Sequence, residues 1–180
     1  MKRLTWFLLA LTLANPVFSE KYCPTDYIES EKNIVTVYKK LRKIKSDCKT
    51  RQADYLSFCK RAFLSKKYSI AIWACRKGIK NAEKNSNEDI TAELIYFLGI
   101  SYIQKERYED AIIILREPVL SKSEKSGNPQ IAEKMHLALI EAYVRKDGSG
   151  SANASYLEKL FKYRYSSSKY IAILDSLKTG

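Results

Sequence analysis

The chain has 180 residues, with 32 basic and 20 acidic side chains, one histidine and four cysteines, and its formal net charge is +12. Hydrophobic residues make up 46% of it, and six glycines and four prolines are few. These values exclude a collagen-like or low-complexity chain and fit one globular domain better than two.

The first 19 residues have the pattern of a secretory signal peptide. Lys2 and Arg3 precede an apolar run over residues 4–14, and the residues before Ser19 suit cleavage directly after it. The run is shorter than the roughly 20 residues of a membrane span, which disfavours an uncleaved anchor. We therefore predict that residues 1–19 are removed, that the protein is periplasmic or secreted, and that the mature chain has no transmembrane span.

Export changes what the basic charge implies about partners. Nucleic acid is normally absent outside the cytoplasm, so a nucleic-acid partner is not expected. The expected counterparts are an acidic protein or an anionic envelope surface, such as lipopolysaccharide, a cell-wall polymer or anionic lipid headgroups. A basic surface that is solvated and has no partner is an equally good interpretation.

Helical periodicity dominates the chain after Pro24, and no strand alternation competes with it. Apolar residues recur at helical spacing between Ile34 and Cys48, which predicts a basic helix in the N-terminal region 20–51. The cations in its last turns complement the helix dipole. With the residues that follow, they form the candidate basic patch: Lys39, Lys40, Arg42, Lys43, Lys45, Lys49 and Arg51.

Further helices are predicted along the rest of the chain. They cover residues 52–64, 68 to the polar stretch 81–87, 89–105, 108 onward, the stripe 131–143, the segment from the loop 147–151 to 165, and the last turns after Ser168. Pro118 disfavours helix at Glu117, so the helix that begins near 108 is expected to be short or kinked there.

The central helices carry a pattern that occurs more than once. It consists of Ile95, Leu98, Gly99, Tyr102, Tyr108, Ala111 and Leu115. This segment resembles one tetratricopeptide repeat, in which the small residues at Gly99 and Ala111 let two antiparallel helices approach closely. An upstream copy has Tyr55, Phe58, Cys59, Ala62, Tyr68, Ala71, Cys75 and Gly78, and a weaker downstream copy has Leu139, Tyr143, Tyr156, Leu157, Leu160 and Phe161.

The resemblance implies an all-α fold, a short right-handed solenoid of about three antiparallel helix pairs over residues 52–165. The helix in 20–51 and a capping helix in 166–180 would flank it. Two departures are Ile95, where the family has an aromatic residue, and Pro118, where it has a small one. The copies are also spaced more widely than the family period of about 34 residues. A generic array of helical hairpins is the alternative, and it would bury one continuous core in the same way.

Four cysteines in an exported chain allow three disulfide pairings. In the hairpin implied by the resemblance, Cys59 and Cys75 occupy facing small-residue positions, so a bridge between them is feasible. Cys23 and Cys48 flank the first helix, and a continuous helix would hold them ~37 Å apart. They can pair only if that helix starts late, near Ser30, and the preceding residues fold back. Buried free thiols are the alternative for both pairs.

The sequence favours a protein without catalytic, cofactor or metal sites. His136 is the single histidine, so a Ser-His-Asp or Cys-His arrangement would have to use it. It falls at a helix-packing position of the third copy, where a hydrogen-bonded structural role is expected. The cysteine spacings do not fit a zinc site, and Gly148-Ser149-Gly150 lacks the strand–turn–helix context of a nucleophile elbow.

In the family that the chain resembles, the first helices of successive pairs line a concave groove. The corresponding residues form the candidate partner groove: Leu56, Lys60, Phe63, Tyr96, Ile100, Ile103, Leu137, Glu141 and Val144. The positions with which some members grip a peptide carboxylate are Leu56, Lys60, Tyr96 and Ile100 here, so such a clamp is not expected. We call this largely apolar surface the trough, and its exposure to water would be energetically costly.

Two kinds of segment could fill this trough: a segment of a partner protein, or the chain's own first or last helix. The sequence-based interpretation is a non-catalytic envelope adaptor that binds a protein or peptide there, with the basic patch steering an acidic partner. The alternative is a protein that binds envelope polyanions through its basic N-terminal half.

Overall fold

The computed structural model describes Cys23 and residues 25–44, 50–81, 87–121 and 128–177. Within these ranges all regular structure is helical, which confirms the predicted all-α class. The helices are α1 Tyr27–Ser30, α2 Ile34–Arg42, α3 Gln52–Leu64, α4 Tyr68–Asn81, α5 Glu88–Ile103, α6 Tyr108–Leu120, α7 Pro129–Asp147, α8 Ala152–Arg164 and α9 Ile171–Ser176. None of them is long and apolar enough to cross a membrane.

The N-terminal region differs from the single helix that the sequence predicted. It contains a short additional helix, α1, and α2 begins at Ile34, the first residue of the predicted apolar stripe. The cause is Asn33, whose extended backbone and side-chain oxygen cap the helix by accepting hydrogen bonds from the N–H groups of Val35 and Thr36. The apolar stripe is buried as the periodicity indicated, at Ile34, Val37 and Leu41.

Pro118 does not shorten the fifth predicted helix, because α6 continues through it to Leu120. The proline lies in the last turn, where the helix loses a single backbone hydrogen bond. The same turn is held by the Ser121 N–H, which donates to the carbonyl of Glu117 at 2.8 Å, and by the buried side chain of Val119.

Two hairpins in the array have the same turn. After α3, the N–H of Lys66 bonds to Phe63 O and the N–H of Lys67 bonds to Ala62 O. After α5, Glu106 bonds to Ile103 and Arg107 bonds to Tyr102 in the same way. This paired pattern is the Schellman motif, which needs one residue with a left-handed backbone. That residue is Lys66 in the first hairpin and Glu106 in the second, with φ of 57° and 58°.

Consecutive helices from α3 to α8 pack against one another and share one continuous core. On one side α5 also contacts both α3 and α7, whereas α4 and α6 are not in extended contact. The array is therefore curved, and α3, α5 and α7 form what we call the inner face.

Close packing within a pair depends on glycine. A Cβ atom on Gly99 would lie 2.7 Å from the side chain of Leu115, which is fully buried on α6. The expected close approach of α5 and α6 is therefore present, with Ala111 fully buried one turn before Leu115. Gly78 has the equivalent role between helix pairs, where a Cβ would lie 2.8 Å from Leu94 of α5.

One predicted disulfide is confirmed and the other extends beyond the described residues. Cys59 of α3 and Cys75 of α4 are bonded, with their Cα atoms 5.5 Å apart. Cys23 is buried and disulfide-bonded, but its expected partner Cys48 lies outside the described residues.

Candidate interaction surface

The structure separates the predicted groove residues into core and surface. Leu56 and Ile103 are 9% and 3% exposed, so they belong to the core and offer a partner little surface. The others are partly exposed on the three helices of the inner face: Lys60 and Phe63 on α3, Tyr96 and Ile100 on α5, and Leu137, Glu141 and Val144 on α7.

An ion pair joins two helices of the inner face. The ammonium group of Lys60 on α3 pairs with the carboxylate of Glu93 on α5, and both side chains are partly exposed. The same ammonium lies 5.7 Å from the ring centroid of Phe97, within cation–π range. The apolar trough expected from the sequence therefore contains a bound pair of opposite charges near its α3 end.

Further aromatic rings pack around Phe97, beside this ion pair. The ring of Phe97 lies 5.7 Å from Phe63 and 5.2 Å from Tyr96, and Phe63 lies 5.5 Å from Tyr68. These separations are in the range in which aromatic pairs attract beyond their burial of area. We call Phe63, Tyr68, Tyr96 and Phe97 the aromatic cluster. Leu64, at the end of α3, is 76% exposed.

Sequence reasoning missed Glu93 and Phe97. Both lie on α5, whose run from Leu94 to Ile103 is apolar with few interruptions, so spacing does not say which face is buried. The available signal was the i, i+4 relation of Glu93 to Phe97, which places the two side chains on the same face of the helix.

The chain's own C-terminal segment, residues 165–177, contacts the α7 end of the inner face. The Ser168 hydroxyl donates to a carboxylate oxygen of Glu133 at 2.7 Å, and the Tyr165 ring lies 6.0 Å from His136. Leu174 is buried in the core. The chain's own last helix was one of the occupants considered for the trough. This helix and its flanking residues therefore lie at one end of the trough.

This segment also reaches α5. Burial raises the pKa of the Tyr96 hydroxyl, and the neighbouring Tyr170 and Glu141 raise it further. Tyr96 therefore stands where the C-terminal segment, α5 and α7 come together. The part of the inner face toward α3, around Phe63 and Leu64, is the opposite end of the trough.

His136 has the structural role that its position predicted. It is fully buried on α7, and its Nε2 lies 3.0 Å from the carbonyl oxygen of Leu157 on α8. A carbonyl only accepts hydrogen bonds, so Nε2 carries the hydrogen and donates it. Burial lowers the pKa of His136 to about 4, which keeps the ring neutral, and its Nδ1 has no hydrogen-bond partner.

The structure describes only part of the candidate basic patch. Lys39, Lys40, Arg42 and Lys43 are exposed on or directly after α2, and Lys45 and Lys49 lie outside the described residues. Two of the cations lie over aromatic rings, Lys40 over Tyr27 at 5.2 Å and Arg42 over Tyr38 at 5.6 Å. Arg51 lies 3.7 Å from the carboxylate of Asp54.

The part of the chain that the structure describes holds no group of three His, Cys, Asp or Glu side chains placed to bind a metal ion. Comparison with protein-family models, with curated proteins and with solved structures found no match.

Proposed function

We propose that this protein is an exported, non-catalytic adaptor of the tetratricopeptide type, which binds a protein or peptide at the α3–α5 end of its inner face. The observation that carries the proposal is the aromatic cluster. Phe63 is partly exposed beside Leu64, a solvent-exposed leucine that follows it on α3, at the end of the trough away from Ser168 and Tyr165. The Cys59–Cys75 disulfide is compatible with an oxidising compartment outside the cytoplasm.

The chemistry of this surface suits a short apolar segment with a polar flank. Aromatic side chains with few rotatable bonds are the residues that most often dominate binding energy at interfaces. The Lys60–Glu93 pair supplies one donor group and one acceptor group at the rim of the cluster. A partner helix or peptide would place its apolar side chains against Phe63 and Leu64 and hydrogen-bond to this pair.

Site-specific photo-crosslinking in the producing cell tests the proposal. A photoreactive phenylalanine analogue at Leu64 should crosslink to a discrete partner. The same analogue at Tyr163, which is 86% exposed on α8, is the matched control and should not. Phe63→Glu should abolish the Leu64 crosslink while the helical fold is retained in circular dichroism. A crosslink of equal yield at both positions, or one that persists in Phe63→Glu, would exclude this surface.

Polyanion binding is the second candidate function, and one observation favours it. Lys39, Lys40, Arg42 and Lys43 are exposed, and none of them makes an ion pair with a described residue. Binding to lipopolysaccharide or phosphatidylglycerol vesicles through these cations should weaken steeply between 50 and 300 mM NaCl, because salt screens exposed charges. Lys39→Glu/Lys43→Glu should abolish it and leave the Leu64 crosslink unchanged.

A further inference from the structure

A second surface lies on the side of the array away from the inner face. It is a cleft of about 760 Å³ between α4 and α6. The cleft exists because these two helices are not in extended contact, so that Leu98 and Tyr102 of α5 form its floor. Neither the family correspondence nor the apolar periodicity pointed to it.

The α4 rim of the cleft is basic. Arg76, Lys77 and Lys80 line it, all three are exposed, and none of them makes an ion pair with a described residue. Asp110 lines the opposite rim, but its carboxylate is bound by the guanidinium of Arg107 at 2.7 Å. The free charge facing the cleft from the described residues is therefore positive.

The interior of the cleft is apolar, and it has one rigid aromatic residue. The Trp73 ring is held edge-on against Tyr38 at 5.0 Å and Tyr55 at 6.1 Å. Ile113, on the α6 rim, is 75% exposed and adds apolar surface at the edge of the cleft. Tryptophan is among the residues that most often dominate binding energy at interfaces.

We propose that this cleft binds an amphipathic helix of a partner protein, one with an apolar stripe and acidic side chains one turn apart. Arg76 and Lys80 are related by i, i+4, about 6 Å along α4, which matches carboxylates at the same spacing on a docked helix. The apolar stripe lies against Trp73 and Ile113. A single lipid fits less well, because the exposed walls would leave its acyl chains in water.

The probe for this proposal is a synthetic helical peptide with leucines on one face and glutamates at i, i+4 along one edge. The protein is the full chain with Trp6→Phe, in which Trp73 is the sole tryptophan. Peptide binding should shift Trp73 emission to the blue. A peptide with lysines in place of the glutamates should bind at least about tenfold more weakly, because it places like charges against the rim.

Two variants identify the site. Arg76→Glu/Lys80→Glu should weaken peptide binding about tenfold, and Ile113→Ser should weaken it without affecting folding, since Ile113 is exposed. Lys159→Glu on α8 is the charge control and should bind normally. Unchanged affinity in Arg76→Glu/Lys80→Glu would overturn the proposal. So would a Trp73 shift produced by phosphatidylglycerol vesicles and not by the peptide.

The experiment separates this cleft from the inner face. Phe63→Glu should leave peptide binding and the Trp73 shift intact, because Phe63 is not among the residues that line the cleft. If Phe63→Glu loses the Leu64 crosslink but still binds the peptide, the result would support both the inner face and the cleft as separate binding surfaces. Loss of peptide binding in Phe63→Glu would place the peptide on the inner face and reject the cleft.

Discussion

Lys66 and Glu106 occupy the same point of two successive helix hairpins, and both have a left-handed backbone there, with φ of 57° and 58°. Each follows a helix of the inner face and precedes its antiparallel partner. The hydrogen bonds around them match one for one, from Lys67 to Ala62 and from Arg107 to Tyr102. The repeat is therefore present in backbone geometry as well as in the pattern of side chains.

Glycine at these two positions should stabilise the fold. The left-handed conformation destabilises a residue with a Cβ atom by about 1–2 kcal/mol, and glycine avoids this cost. About half of the gain is lost again, because glycine is more flexible than other residues in the unfolded chain. We expect Lys66→Gly and Glu106→Gly each to raise the free energy of unfolding by about 0.5–1 kcal/mol in urea denaturation. Lys66→Ala retains the strained backbone and should give no gain. Destabilisation by both glycines would contradict the assigned turn.

Gly99→Ala should destabilise the protein by about 1–3 kcal/mol, because the added methyl group meets the buried Leu115 side chain at 2.7 Å. Leu115→Val in the same chain should recover part of the loss, which a double-mutant cycle would measure. The matched control is Gly150→Ala, where a Cβ meets nothing within 4 Å and stability should be nearly unchanged. Equal effects at the two glycines would show that α5 and α6 are less closely packed than described.

The stability of the protein should fall as the pH falls from about 6.5 to about 4. The pKa of His136 is about 4 when folded, against 6.5 when exposed. Between these values the unfolded chain binds a proton that the folded chain excludes, so acid favours unfolding, by on the order of 3 kcal/mol at pH 4. His136→Gln should reduce the slope of unfolding free energy against pH in this window. Parallel slopes for the two proteins would show that His136 is not the group responsible.

Removal of the Cys59–Cys75 bridge should lower the free energy of unfolding by about 3 kcal/mol, the value for a closed loop of this size. Cys59→Ala/Cys75→Ala tests this by urea denaturation, with the remaining cysteines kept oxidised. The circular dichroism of the folded state should be unchanged, because the close fit of α3 and α4 is also supported by Ala62, Ala71 and Ala74, all fully buried. An unchanged midpoint would mean that the bridge adds nothing to that packing.

Local patterns predicted much of the fold. The bounds expected for the helix at 52–64 agree with those of α3, because apolar spacing and the turn residues after Leu64 act within a few residues. In the N-terminal region, the apolar stripe that begins at Ile34 predicted α2. The short helix α1 before it was not predicted, because four residues carry too little periodicity to indicate a helix.

The candidate surfaces were less predictable. The positions of Phe63 and Tyr96 on the inner face followed from the family correspondence, whereas Leu56 and Ile103 were assigned to the surface and are buried. Burial depends on neighbours far away in the chain. Phe97 was missed for the same reason, since α5 is apolar on more than one face.

The sequence by itself determined that the protein is helical and that its helices form pairs, and the resemblance to the repeat family implied that Cys59 faces Cys75. These properties depend on hydrogen bonds and side-chain spacing within one hairpin. The tertiary structure alone decided that the C-terminal segment reaches Tyr96, that Lys60 pairs with Glu93, and that α4 and α6 leave a basic cleft between them. Those features come from the curvature of the whole array and from contacts between distant segments, which no local pattern encodes.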